Sequence, residues 1–218
     1  MTPVVLLGWL AAVVGDSIAV PQVVRLLRTR DVSGLSLFGW QTIVSINVAW
    51  AVHGFRVGQA NMVVANLVGF GMTALVLGLI ARELRLNLGR LLLPGVLAAG
   101  VMIVVDVLFG AGIYGAVAII PAVMANSAQS VELVRSPRID GVSPIFLGLA
   151  VLNQALWFSW GLLVPEYGTI VSSSVTLAVT VFNMVWWGLR KLGLRSFGKP
   201  TDTELVAATH VAAVEVER

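Results

Sequence analysis

Residues 19–36 read "AVPQVVRLLRTRDVSGLS". An apolar run closes on Pro21 and Gln22, three arginines follow (Arg25, Arg28, Arg30), and a small turn leads through Ser36 into another apolar run. Residues 126–143, "NSAQSVELVRSPRIDGVS", carry the same plan. A shift of 107 residues, without a gap, superimposes the two stretches and continues far beyond them. Matched pairs include Gln22/Gln129, Leu26/Leu133, Arg28/Arg135, Gly34/Gly141, Ser36/Ser143, Trp50/Trp157, Gly54/Gly161 and Thr73/Thr180. Val-on-Val matches carry little weight in so apolar a chain, but Gln, Trp, Arg and loop Gly recurring at one period mark an internal repeat.

Composition sets the class. Of the 218 residues 58% are hydrophobic and 11% charged, whereas a soluble domain carries about 25% charged residues. Apolar stretches of about 20 residues cross a bilayer as helices. Backbone groups in lipid must bond internally, and no segment shows the alternation of a membrane β-barrel. Seven spans are expected, near 3–24, 37–54, 60–81, 90–109, 111–133, 144–163 and 168–189. Between them fall charged or Gly/Pro-rich breaks; Ser143-Pro144 reads as a cap followed by a helix-start proline. The N-terminal run lacks a basic leader and a cleavage site before Asp16, so it is expected to stay as the first helix.

All 14 basic residues except Arg56 fall in the segments after spans 1, 3, 5 and 7. The positive-inside rule then puts the N-terminus outside and the C-terminus in the cytoplasm, in the plasma membrane by default. The net charge of +3 belongs to this topology rather than to a nucleic-acid surface. Cysteine is absent, which excludes disulfides and thiolate metal sites. No phosphate loop, zinc-protease or serine-hydrolase motif occurs, so no enzyme is expected. No metal or cofactor is expected either; His53 and His210 are too far apart to form a metal pair.

The repeat defines the architecture. Two triple-helix bundles (residues 1–86 and 111–195) flank one linking span (87–110), and a cytoplasmic tail (196–218) follows. An odd-numbered unit repeated through one extra helix is parallel to its copy, related by an axis along the membrane normal. Transporters of this plan hold their site between the repeats near the midplane.

At this point the residues resemble a family. "PQVVRLLRTRDVSGLS" is similar to the PQ-loop signature, which lysosomal amino-acid exporters of the cystinosin type share. Two bundles joined by one helix resemble the SWEET sugar transporters. That resemblance covers roughly residues 5–190. It implies that a tryptophan late in the second helix of each bundle faces the sugar, and that an asparagine 16 residues later hydrogen-bonds it. Trp50 and Asn66 fit; in the second bundle Trp157 is followed at that distance by Ser173. The resemblance also implies hinge or gating residues: Pro21 and Gln22 in the first bundle, with Gln129 and Pro144 as the second bundle's candidates. Pro21 has Ala128 as its counterpart, so the hinge set is incomplete.

Chemistry supports the same positions without the resemblance. An aromatic face covers the C–H face of a sugar, and an amide both donates and accepts at adjacent hydroxyls. Thr73 and Thr180 lie seven residues beyond Asn66 and Ser173, on the same helix faces, and are candidates for the inner pathway. The competing accounts are plain ones: interfacial anchoring for tryptophan and interhelical hydrogen bonding for Asn47, Asn66, Asn126, Gln129, Asn153, Gln154 and Asn183. Asp16 is a carboxylate inside a span; it is either a proton site, or a group bonded to local hydroxyls or facing an aqueous vestibule. Asp106, near the outer end of the linking span, is expected to reach water. The leading expectation is a bidirectional sugar uniporter. The alternatives are a proton-coupled transporter of an amino acid or other small solute using Asp16, and a seven-helix membrane receptor. The expected partners are a small sugar and the lipid bilayer, with no nucleic acid; a homo-oligomer is compatible with this plan.

Overall fold

The computed structural model describes residues 2–32, 35–136, 139 and 142–197. Gly34, Gly141, Arg138, His210 and the tail beyond residue 197 lie outside the described residues. The described chain is all helical, with no strand among the described residues: α1 (Pro3–Thr29), α2 (Leu37–Arg56), α3 (Ala60–Glu83), α4 (Leu88–Arg135), α5 (Pro144–Leu163) and α6 (Tyr167–Lys191). The 48-residue α4 breaks at Gly110, whose backbone (φ 79, ψ 176) is far from helical. Its arms, α4a (88–109) and α4b (111–135), are the linking and fifth spans, joined at a point where the missing β-carbon makes this conformation accessible. Seven helical spans result.

Helices α1, α3, α4, α5 and α6 are each long and apolar enough to cross a membrane. At 20 residues, α2 is about 30 Å long; Gln41, Thr42, Ser45, Asn47, His53 and Arg56 make it the more polar one. The helix starts follow from local chemistry. Ser36 accepts from the Gly39 N–H at 3.0 Å and Ser143, its counterpart in the repeat, from Phe146 at 3.3 Å. Pro144 occupies the first turn as expected, where its missing N–H costs nothing.

One end differs from expectation. Helix α1 runs five residues past its expected end and stops at Thr29, not near residue 24. Pro21 and Gln22 therefore lie inside the helix rather than at its end. Val23 and Leu26 are buried against Val76, Leu77 and Ile80 of α3. That packing carries the helix past the hydrogen bond that proline removes, and Arg25 and Arg28 sit on its last turns rather than in a loop.

The packing order occurs twice. In the first unit α3 packs against both α1 and α2; in the second, α6 packs against both α4 and α5. Small residues set the spacing. A β-carbon on Gly54 would meet Met62 and Val63, and one on Gly161 would meet Thr169 and Ile170, which are the same positions shifted by 107. Likewise Gly8 lies against Asn61, and Gly115 against Gly168. The buried face of α6 is small and polar, formed by Gly168, Thr169, Ser172, Ser173, Thr176, Thr180 and Asn183. In lipid such a face favours close helix contact.

The Gly115 crossing gives a first prediction. A β-carbon there would lie 2.4 Å from the Gly168 carbonyl oxygen, a backbone atom that cannot rotate away. Gly115→Ala is expected to cost about 1–3 kcal/mol, read as a lower melting temperature in detergent. Gly100→Ala, where nothing lies within 4 Å, is the control and leaves melting unchanged.

Candidate functional site

The arginine-rich segments lie at one end of the bundle; His53, Arg56, Asp106 and Glu166 gather at the other, the far end. His53, in the last turn of α2, is 1% exposed; Asp106 on α4a is 2% exposed and Glu166, capping α6, 6%. His53 Nδ1 lies 2.9 Å from Asp106 Oδ2, and His53 Nε2 lies 3.1 Å from Glu166 Oε1. Arg56, one turn on from His53, donates to the same Asp106 oxygen. Tyr114 of α4b stacks on the His53 imidazole with centroids 4.4 Å apart and planes 21° from parallel. One imidazole thus ties α2 to the linking arm, to the fifth span and to the start of α6.

Glu166 is held on its other side by α6 itself. Its Oε1 accepts from Gly168 N–H at 2.9 Å and its Oε2 from Thr169 N–H at 2.5 Å, a cap of the helix N-terminus. Burial opposes its charge, yet the bonds from His53 and Thr169 outweigh burial and hold this carboxyl below the usual carboxylate range. Gly168 has no side chain because a β-carbon would sit 3.1 Å from His53 Nε2.

Asp106 corrects the sequence reading. It is buried under Arg56 and His53 rather than open to water, because α4a passes behind α2 at this depth. His53, Glu166 and Tyr114 were missed. A signal was available: Arg56, Asp106 and Glu166 are the charged side chains that the predicted topology puts toward the far face, with His53 beside them, and so few charges at one greasy end tend to pair.

The positions singled out earlier are distributed as follows. Trp50 packs edge-on against His53 at 5.4 Å and against Tyr114 at 4.9 Å, touching the second unit through the latter. Trp157 packs edge-on against Trp160 of its own helix at 5.5 Å. Asn66 is part-buried and donates to its own Met62 carbonyl at 2.8 Å. Ser173 is buried and donates to the Thr169 carbonyl. Thr73 donates to the Gly69 carbonyl at 2.8 Å and accepts from Asn47 at 3.3 Å; Thr180 donates to Leu177 at 3.0 Å. Asp16 is half-buried on α1, and Pro21 and Pro144 are exposed. The Gln22 and Gln129 side-chain nitrogens are both buried without a hydrogen-bond partner.

Two cavities flank this arrangement. One of about 280 Å³, lined by Gln41, Thr42, Ser45, Pro94, Met102 and Pro121 among others, lies between α2 and the two arms of α4. One of about 230 Å³ opens at the far end beside Trp9, Gln59, Asn61 and Trp160. Neither is lined by Trp50, Asn66, Trp157 or Ser173.

The far end is built from two related contacts. Trp160 is the repeat counterpart of His53. The Trp50–His53 and Trp157–Trp160 pairs meet at 87° and 89°, so the two corners share one geometry. His53 reaches from the first unit to Gly168 and Glu166 of the second. Trp160 reaches from the second unit to Gly8 and Asn61 of the first, where a β-carbon on Gly8 would lie 2.6 Å from its Nε1. One corner is ionic and the other aromatic.

No protein-family model and no curated protein matches this sequence. Among solved structures, a eukaryotic SWEET transporter superposes with a TM-score of 0.65 at 13% identity, over 88% of this chain and 100% of that chain. The chain therefore has a SWEET-like, seven-helix membrane fold.

Proposed function

We propose that the chain is a carrier of a small solute, a mono- or disaccharide, which equilibrates its substrate across the plasma membrane by alternating access between the two helix units. The observation that carries this reading is the far-end seam. The units meet there through two corners that start from repeat-related positions, His53 on Gly168 and Trp160 on Gly8, each packed against a glycine. Separating those corners opens the far end without disturbing the α3 and α6 packing inside each unit. The fold likeness to a SWEET transporter supports the same reading, as does the placement of one aromatic ring per unit, Trp50 and Trp157, beside the seam. Trp50, Asn66, Trp157 and Ser173 are the proposed sugar contacts, with Thr73 and Thr180 toward the arginine-rich end. Pro21 leaves the Ser17 carbonyl without its helical donor and is the proposed hinge of α1; Gln22, Gln129 and Pro144 mark the corresponding ends. The arginine-rich end is proposed to face the cytoplasm.

A second reading has one observation in its favour: Asp16 has no ion-pair partner among the described residues, so it is open to a coupling role in a proton-driven transporter of another small solute. Purified protein in liposomes, screened with labelled sugars and amino acids, decides. Sugar flux indifferent to an imposed pH gradient is expected. Flux that requires the gradient and disappears in Asp16→Asn establishes the second reading. Absence of flux for every solute, with a protein ligand captured instead, returns the chain to the receptor class.

A further inference from the structure

The buried cluster at the far end poses a proton-counting problem. A neutral imidazole carries one N–H, so it donates at one ring nitrogen and presents a lone pair at the other. Here both ring nitrogens face carboxylate oxygens, Asp106 Oδ2 at 2.9 Å and Glu166 Oε1 at 3.1 Å. Both contacts are hydrogen bonds only if the cluster holds one proton more than a neutral histidine and two carboxylates supply. The carboxylates do not hold it. Glu166 accepts backbone N–H groups at both oxygens, and the Asp106 oxygen that faces His53 already accepts from Arg56. The extra proton therefore belongs on the imidazole, which then donates at both nitrogens.

Charge balance agrees. With an imidazolium, His53 and Arg56 offset Asp106 and Glu166, and the buried group is neutral. Without that proton it carries one uncompensated negative charge away from water, and a lone pair faces a carboxylate, which is costly. The surroundings supply no substitute. Tyr114 lies flat on the ring and its hydroxyl has no hydrogen-bond partner. Helices α3 and α5 bring no charged side chain to this end, since α3 has Arg82 and Glu83 at its other end and α5 has none. Asp16 lies within α1, away from this end. Tyr167 points outward, 65% exposed. Among the described residues no group of His, Asp and Glu is arranged to hold a metal ion.

We infer that the His53–Asp106–Glu166 cluster is a proton-binding site whose occupied form latches the far end shut. Opening that end brings water to the imidazole, which passes its proton to water and becomes neutral, with no other reactant required. Closed protein binds the proton more tightly than open protein, so acid favours the latched state and rising pH releases it. This goes beyond the transport reading: the latch acts on conformation, and its test needs no solute.

The absence of cysteine makes the test direct. Thr169→Cys, at a site 4% exposed behind Glu166, reports far-end opening through its reaction rate with a membrane-impermeant maleimide. After correction for thiolate fraction, the rate is expected to rise up to about tenfold per pH unit while the imidazole titrates, as a single linked proton allows. In His53→Gln this pH dependence is lost. In Glu166→Gln the amide NH2 turns to one ring nitrogen at the cost of the Gly168 bond, a neutral imidazole is satisfied on both sides, and the rate loses its pH dependence. Deuterium uptake at residues 164–169 of the unmodified protein, corrected for intrinsic exchange, follows the same profile. A rate that does not vary with pH in the otherwise native sequence overturns the latch, as does a profile that survives in either variant. If His53→Gln does not fold, Glu166→Gln and deuterium uptake decide alone.

Discussion

Replacing Asp106 with leucine is expected to lower stability by about 3 kcal/mol, the range seen when one member of a buried ion pair is removed. For a chain of this size that is a fall in melting temperature of roughly 6–12 °C. The aspartate is the shared acceptor for His53 and Arg56. Arg56 is 36% exposed on its side chain and turns to water, which keeps the loss at the low end of the range. His53, at 1%, cannot. The informative comparison is the double variant His53→Phe with Asp106→Leu. The other corner of the far end has Trp160 where this one has His53, and no charge beside it, so the fold accepts an aromatic ring there. Glu166 keeps its bonds to the Gly168 and Thr169 amides. The double variant is therefore expected to recover more than half of the loss. That recovery identifies the cluster as something the fold tolerates rather than requires, as a functional latch would be. A double variant as unstable as the single one makes the cluster a structural element instead.

The fold was legible because it is written twice. Gln22/Gln129 and Trp50/Trp157 are unlikely coincidences in an apolar chain, and the matched Gly54 and Gly161 turn out to pack against repeat-related partners. Helix boundaries were legible where capping chemistry is local, as at Ser143-Pro144. They failed at α1, where burial of Val23 and Leu26 on α3, a tertiary effect, carries the helix through a proline. The far-end cluster was hidden for a different reason. His53, Asp106 and Glu166 are 53 and 60 residues apart along the chain, and Asp106 has no repeat counterpart at all, so neither periodicity nor symmetry points to it. Taken singly, each resembles a polar residue at a helix end. Their meeting depends on the sharp break at Gly110, which returns the chain beside α2 as α4b.

Trp50→Ala is expected to weaken binding of the sugar proposed as substrate by about two orders of magnitude. Removing a part-buried indole forfeits roughly 3 kcal/mol of contact, and each 1.4 kcal/mol is about tenfold in affinity. Stability is not the route to this loss. Trp50 is only part-buried, whereas Trp160, in the other corner, is 2% exposed. Trp160→Ala should therefore depress melting far more than Trp50→Ala does, while Trp50→Ala should depress affinity more. Trp50→Phe keeps an aromatic face against His53 and Tyr114 and should restore most of the binding, as stacking on a sugar ring requires a face rather than an indole N–H. Equilibrium binding and melting, measured on the same preparations, separate the two effects. Folded Trp50→Ala protein with unchanged affinity would remove this ring from the site and reduce it to packing behind the histidine latch.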